Sequence, residues 1–129
     1  MKKLTILLLL ALPLFISSCD KNDDVASSNT EQINLNIDKT KLPGNLSITY
    51  KAEGTGDGKM TQLKYLDDKG VQQTVSSPSL PWTKTFSMAA DSSVSMSATG
   101  TLSKGSLTIT VNGTAQGTTF NLSDSQTRN

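Results

Sequence analysis

The sequence predicts an all-β fold, a single two-sheet antiparallel β-sandwich of about seven to eight strands. Two observations support this prediction. Apolar and polar residues alternate with a period of two over short runs, while helical periodicity is almost absent. Turn-forming clusters of Gly, Asp, Asn and Ser separate the runs at short intervals, as in sandwiches that are built from hairpins.

The first half of the predicted domain contains four alternating runs, which are Ile33–Ile37, Leu46–Tyr50, Leu63–Tyr65 and Val71–Val75. The cluster Glu53–Gly58 predicts a turn, because Gly adopts positive φ without strain and Asp tolerates it. Asp67–Gly70 predicts a second turn. The last two runs are therefore expected to be the paired strands of a hairpin.

The second half repeats the pattern with the runs Leu80–Met88, Val94–Ala98, Leu107–Val111 and Phe120–Leu122. Asn112-Gly113 follows an alternating strand and predicts a type I′ hairpin turn, since both central residues of that turn need positive φ. No apolar period continues beyond residue 122. We therefore expect the β-sandwich to span residues 32–122 and a disordered tail to occupy 123–129.

Residues 1–18 have the pattern of a secretory signal peptide. Two lysines precede an apolar run from Leu4 to Phe15, which is too short to span a bilayer comfortably. Residues 16–19, Ile-Ser-Ser-Cys, resemble the lipobox of bacterial lipoproteins, in which the Cys is acylated and the peptide bond before it is cut. The resemblance implies that the mature protein begins at Cys19 and carries fatty acids such as palmitate. The alternatives are an uncleaved anchor and a free or intermolecularly paired thiol.

Residues 19–31 are polar and without periodicity, which predicts a lipidated N-terminus followed by a flexible tether. Their acidic group, Asp20, Asp23 and Asp24, resembles the surface-export signal of Bacteroidota lipoproteins. In enterobacterial lipoproteins Asp20 would instead indicate retention at the inner membrane, and a plain soluble linker is the third interpretation. We expect a lipid-anchored protein of the cell envelope, at the outer membrane and exposed at the cell surface if the export interpretation holds.

Charge and composition argue against several function classes. The net charge changes from +1 to −1 when Lys2 and Lys3 leave with the signal peptide, and the other basic residues are scattered. No nucleic-acid partner is therefore expected. The chain has no His, which is the commonest general base and transition-metal ligand. Its single Cys is Cys19, so we expect neither a disulfide nor Cys-based catalysis.

Asp57, Asp67 and Asp68 are the candidates for paired-carboxylate chemistry. Adjacent residues of a strand point to opposite faces, so Asp67 and Asp68 are expected to form a turn and not a dyad. Neither Gly56–Gly58 nor Asp67-Asp68 matches the Asp-x-Asp-x-Asp-Gly calcium loop with its distal Glu. We predict no metal and no cofactor.

Serine nucleophiles need a base, and without His only a Ser–Lys arrangement remains. Lys64, Lys84 and Lys104 are expected on strand or turn surfaces, so no catalytic residue is assigned. The sequence therefore does not predict an enzyme.

Trp82, the only Trp of the chain, has two interpretations. It is either a plug in the core between the sheets, as in many sandwiches, or a platform for a ligand. Its alternation with Leu80 and Phe86 on one face favours the core.

Four segments resemble the mycobacterial small membrane protein family, MmpS, and these are Ile48–Gly54, Leu63–Gly70, Leu80–Phe86 and Leu107–Gly113. The stretch Pro-Trp-Thr-Lys-Thr-Phe, residues 81–86, is the most specific part. The resemblance implies a small immunoglobulin-like β-sandwich outside the membrane. It also implies an accessory role for lipid- and siderophore-exporting transporters of the resistance-nodulation-division class. This chain differs by using Cys19 in place of a transmembrane helix and by lacking the Cys-bearing C-terminal strand of that family.

The sequence therefore predicts a lipid-anchored, non-enzymatic β-sandwich of the cell envelope that serves as a binding or accessory module. Its expected partners are the membrane, through the lipid on Cys19, and an envelope protein or transporter. The alternative is a surface-exposed glycan- or peptide-binding lipoprotein. That function would need an exposed aromatic platform, for which Trp82, Tyr50 and Tyr65 are the candidates.

Overall fold

A computed structural model describes residues 29–129 of the chain. Its eight strands are β1 (Glu31–Lys41), β2 (Leu46–Gly56), β3 (Lys59–Leu66), β4 (Gln72–Ser76), β5 (Trp82–Met88), β6 (Ser93–Leu102), β7 (Gly105–Ala115) and β8 (Thr118–Arg128). No helix that could cross a membrane occurs in this range. The prediction of an all-β fold is confirmed.

The strands form two four-stranded sheets with the orders β1-β6-β3-β4 and β5-β2-β7-β8. Every neighbouring pair is antiparallel. Consecutive strands such as β1 and β2, or β6 and β7, lie in different sheets, so the chain crosses between the two layers at these connections. Within the first sheet, β3 and β4 form the hairpin that the sequence predicted.

The core lies between the sheets, where the apolar positions of each alternating run meet. In β6, for example, Val94, Met96 and Ala98 are buried, while the serines between them are only partly covered. No polar or charged residue is buried among residues 29–129. Each fully buried Leu, Ile or Val contributes about 1.5–3 kcal/mol, so packing of these side chains is the main stabilising term.

The predicted turn at Asn112-Gly113 is wrong, because both residues lie inside β7. The hairpin between β7 and β8 turns instead at Gly117, whose φ is +76°. Gly113 pairs with Ile48 on one side and Phe120 on the other. A Cβ at this position would lie 2.7 Å from the Ile48 Cδ1 atom and 3.1 Å from the Phe120 Cβ atom. The missing side chain at Gly113 therefore serves close packing, not positive φ.

The predicted disordered tail is also wrong, because Ser123–Arg128 belongs to β8. This strand pairs with β7 along its whole length, from Thr118 opposite Ala115 to Arg128 opposite Gly105. The strand ends its sheet, and its inner face stays partly exposed. Such a face needs few apolar residues, so the apolar alternation stops before the strand does.

Contacts between β1 and β8 close one side of the sandwich. The backbone N–H of Asn36 donates a hydrogen bond to the Asp124 Oδ2 atom at 2.8 Å. The Arg128 Nη1 atom lies 3.3 Å from the Glu31 Oε2 atom and donates a hydrogen bond to the Asn29 carbonyl at 2.6 Å. Asp124 thus satisfies a backbone group of the end strand β1.

Candidate functional site

Cys19, the predicted lipidation site, lies outside the described residues, as do the signal peptide 1–18 and the acidic group in residues 20–24. Their roles stay predictions. The structure places the other candidate residues, which are Asp57, Asp67, Asp68, Trp82 and the two tyrosines.

Asp57 joins two turns at one end of the sandwich. It lies in the β2–β3 turn, and its Oδ1 atom accepts hydrogen bonds from the backbone N–H groups of Ser103 at 3.1 Å and Lys104 at 2.8 Å. The Ser103 hydroxyl donates to the Oδ2 atom. These donors, the Ser103 hydroxyl above all, lower the pKa of the Asp57 carboxyl. The carboxylate is therefore ionised and committed to holding the β6–β7 turn.

Asp67 has the same role in the β3–β4 hairpin. Its Oδ1 atom accepts hydrogen bonds from the backbone N–H groups of Lys69 at 3.0 Å and Val71 at 2.9 Å. Its Oδ2 atom accepts one from the Gln73 side chain at 2.8 Å. The Val71 N–H is the largest cause of the lowered pKa of the Asp67 carboxyl. The predicted turn at Asp67–Gly70 is confirmed, since Gly70 has a φ of +74°.

The three candidate carboxylates do not converge. Asp57 precedes β3 and Asp67 follows it, and an eight-residue strand is roughly 25 Å long. Asp68 is exposed, and no hydrogen bond or ion pair of its carboxylate occurs in residues 29–129. The same part of the chain contains no group of three His, Cys, Asp or Glu residues that could hold a metal. The arrangement stabilises turns and brings no second carboxylate to Asp57 or Asp67.

An aromatic cluster lies at the side of the sandwich where β4 and β5 end the sheets. The ring centroids of Tyr50 and Tyr65 are 5.3 Å apart, and those of Tyr65 and Trp82 are 5.2 Å apart. Phe86 completes the cluster at 6.0 Å from Tyr65 and 6.2 Å from Tyr50. These separations fall in the range of favourable aromatic pairs. The cluster joins the two sheets, because Tyr65 belongs to one sheet and the other three residues to the other.

Only part of this cluster reaches the surface. Tyr50 is completely buried and Tyr65 is buried, so neither can serve as a platform for a ligand. Trp82 is half-buried, with its ring tilted by 46° against that of Tyr65. Trp82 is thus neither a fully enclosed plug nor a free platform. Of the aromatic platform that glycan binding would need, only the exposed part of the Trp82 ring and the half-buried Phe86 ring remain.

A shallow groove of about 470 Å³ lies between the start of β3 and the loop before β5. Apolar side chains of Met60, Pro78 and Leu80 line it together with Lys59 and Thr61. Apolar surface with a few polar groups is typical of small-ligand sites.

Lys84 and Asp124 lie on inner strand faces, which the sequence pattern did not predict. Lys84 shares the inner face of β5 with Trp82 and Phe86, and its Nζ atom lies 5.8 Å from the Phe86 ring centroid. Asp124 follows Phe120 and Leu122 on the inner face of β8. In both strands, the signal in the sequence was a charged residue at a position where the alternation predicts an apolar residue.

The Tyr50 hydroxyl is the other feature that the sequence did not indicate. It is buried without a hydrogen-bond partner among the described residues. Burial raises the pKa of the Tyr50 phenol, although the nearby Ser95 backbone lowers it in part. That contact does not have the geometry of a hydrogen bond, so we treat the hydroxyl as unpartnered.

Comparison of the chain with protein-family models, with curated proteins and with solved structures gave no match.

Proposed function

We propose that this protein is a lipid-anchored, non-enzymatic β-sandwich of the bacterial cell envelope that acts by binding, as an accessory module for an envelope protein or transporter. The observation that carries the proposal is that the Asp57 and Asp67 carboxylates hold turns of the fold. Their carboxylates, the strongest candidates for acid–base chemistry in the sequence, accept five of the hydrogen bonds that fix the turns. These groups serve the fold, which leaves surface contact as the means of action.

The sequence supports the anchor and the partner class. Residues 16–19 resemble a lipobox, and from Cys19 to the first strand at Glu31 the chain can span at most about 40 Å. A lipid on Cys19 would therefore keep the sandwich next to the membrane. The β-sandwich is also the fold that the resemblance to the MmpS family implies, and that resemblance is the source of the transporter role.

Fatty-acid labelling tests the anchor. Cells that express the wild-type chain or Cys19→Ala are fed labelled palmitate, and the protein is isolated. We expect label only in the wild type, whose membrane fraction resists high salt and dissolves in detergent, because each buried methylene contributes about 0.8 kcal/mol. Label in Cys19→Ala, or release of the wild type by salt alone, would contradict the proposal.

The half-buried Trp82 favours a second candidate function, the binding of a glycan or an extended peptide beside β5. The candidate surface comprises the exposed part of Trp82 and the groove lined by Leu80, which lies two residues before Trp82 in the chain. Trp82→Phe keeps an aromatic ring in the cluster, while Trp82→Ala removes it. If the surface binds a ligand, both variants should lose capture on a glycan or peptide array, although Trp82→Phe melts within a few degrees of the wild type. Unchanged capture by both variants would exclude this site.

A further inference from the structure

The two end strands of the second sheet carry complementary inner faces. β5 presents Trp82, Lys84, Phe86 and Met88, and β8 presents Phe120, Leu122, Asp124 and Gln126. Lys84 and Asp124 each lie between larger neighbours on these faces, and Arg128, the last residue on the β8 face, contacts Glu31 and the Asn29 carbonyl. Lys84 takes part in no ion pair among residues 29–129, and the Oδ1 atom of Asp124 accepts no hydrogen bond there. Both charges remain available to a partner.

Strand direction allows these two edges to pair with each other. Each step in the order β5-β2-β7-β8 is antiparallel, so β8 runs opposite to β5. A second copy in the same orientation can therefore place its β5 beside β8 as the next antiparallel strand. The sheet then continues from one copy into the next.

We propose that copies of this protein associate head to tail, with β5 of one copy pairing with β8 of the next. The register that sets Lys84 opposite Asp124 also sets Phe86 opposite Leu122 and Met88 opposite Phe120. This alignment therefore matches one pair of opposite charges and two apolar pairs, and it sets Trp82 opposite Gln126. On the outer face, it places Thr85 opposite Ser123. Because the contact is heterologous, it leaves a free edge at each end and generates open chains of copies.

The same charges disfavour the other pairings. A β5–β5 contact with Lys84 at its centre would bring two ammonium groups together, and a β8–β8 contact with Asp124 at its centre would bring two carboxylates together. Inward-pointing charges are a common protection of sheet edges against unwanted pairing. Here β5 carries Lys84 and β8 carries Asp124. The charges that oppose pairing of like edges therefore favour pairing of β5 with β8.

The contact is small, which sets the conditions under which it forms. β5 has seven residues, so at most seven positions of β8 are covered. One strand pair buries less than the ~1,200 Å² of a stable complex. We therefore expect assembly at high local protein concentration, as on a membrane surface, and monomers in dilute solution.

Disulfide trapping with the full chain tests the register. Cysteines replace Thr85 and Ser123, which the proposed alignment sets opposite each other at a distance suited to a disulfide. Membranes of cells that express T85C/S123C should give a ladder of dimers, trimers and longer chains on non-reducing gels. The matched control T85C/N34C, with its second Cys on the exposed face of β1, should give at least fivefold less of the cross-linked species.

Charge exchange tests the cause. In the T85C/S123C background, Lys84→Asp or Asp124→Lys alone should reduce the ladder at least fivefold. Co-expression of the two variants should restore it, because each Asp then faces a Lys of the other copy. If Asp124→Lys does not fold, Asp124→Asn, which keeps an acceptor for the Asn36 N–H, replaces it as the single variant and should also weaken the ladder. No ladder in the parent, an equal ladder in the control, or a ladder that survives Lys84→Asp would overturn the proposal.

Discussion

At the scale of single residues, the ionised groups of this domain are used to organise turns. Asp57 and Asp67 each accept three hydrogen bonds, and most of the donors are backbone N–H groups that strand pairing leaves free. A carboxylate is well suited to this role, because hydrogen bonds to a charged acceptor are stronger than those to a neutral one. These turns therefore depend on the charge of their Asp.

This dependence predicts a loss of stability in acid. The pKa of Asp57 is lower in the folded protein than its ordinary value of 3.8. Its contribution to stability is therefore complete above about pH 4 and disappears as the pH falls through the lower, folded-state pKa. Asp57→Asn should lower the unfolding free energy at pH 7 and flatten its decline in acid.

Urea denaturation between pH 7 and pH 2 measures this effect. Asp68→Asn is the matched control, since its carboxylate accepts no hydrogen bond within residues 29–129, and it should keep the acid slope of the wild type. A slope that is the same in Asp57→Asn and in the wild type would show that Asp57 does not carry this dependence.

The unpartnered Tyr50 hydroxyl gives a prediction of opposite sign. A buried hydroxyl without a hydrogen bond costs about 1–3 kcal/mol, whereas the ring contacts with Tyr65 and Phe86 do not need it. Tyr50→Phe should therefore raise the free energy of unfolding, by up to about 1 kcal/mol. Tyr65→Phe, in the same cluster, should stay within about 0.5 kcal/mol of the wild type. A loss of stability in Tyr50→Phe would mean that the hydroxyl has a partner.

At the scale of strands, glycines act in two different ways. Gly117 provides the positive φ of the β7–β8 turn, whereas Gly113 lets β2 and β8 pack closely against β7. Gly113→Ala should cost about 1–3 kcal/mol, because its Cβ would overpack against Ile48 and Leu46. Gly44→Ala, where a Cβ meets nothing within 4 Å, is the control and should be neutral or slightly stabilising. Equal urea midpoints for the two variants would contradict the packing role of Gly113.

Sequence periodicity predicted the strands whose faces are buried. Each of the eight alternating runs overlaps one observed strand, because a face packed against the opposite sheet must be apolar. Sequence periodicity failed as a predictor where packing against the opposite sheet does not determine which residue types occur. Ser123–Arg128 is polar because it ends a sheet, and Asn112-Gly113 imitates a turn because sequence alone does not show the neighbours that need the space. The roles of Lys84 and Asp124 were not predicted for a related reason, since both depend on β5 and β8 being the end strands of a sheet.

At the scale of the whole molecule, the edge strands of the two sheets differ in length and in contacts. The Asn36 N–H of β1 is hydrogen-bonded to the Asp124 carboxylate, and β4 is only five residues long. β5 and β8 are longer than β4, and they carry the inward charges of Lys84 and Asp124. If the proposed anchor holds, the tether exits beside Arg128, where β8 ends. The long edges of β5 and β8 are thus the ones that a second copy can reach.

Amide hydrogen exchange of the full chain tests this picture of the whole molecule. In dilute detergent solution, β2, β3, β6 and β7 should exchange most slowly, because each is paired on both sides, and the end strands should exchange faster. As the protein is concentrated, amides of β5 and β8 should slow by a larger factor than those of β4, an end strand that the proposed contact does not involve. Lys84→Asp should remove that concentration dependence and leave the protection of β2 and β7 intact. If β4 slows as much as β5 does, association is nonspecific and the complementary edges do not direct it.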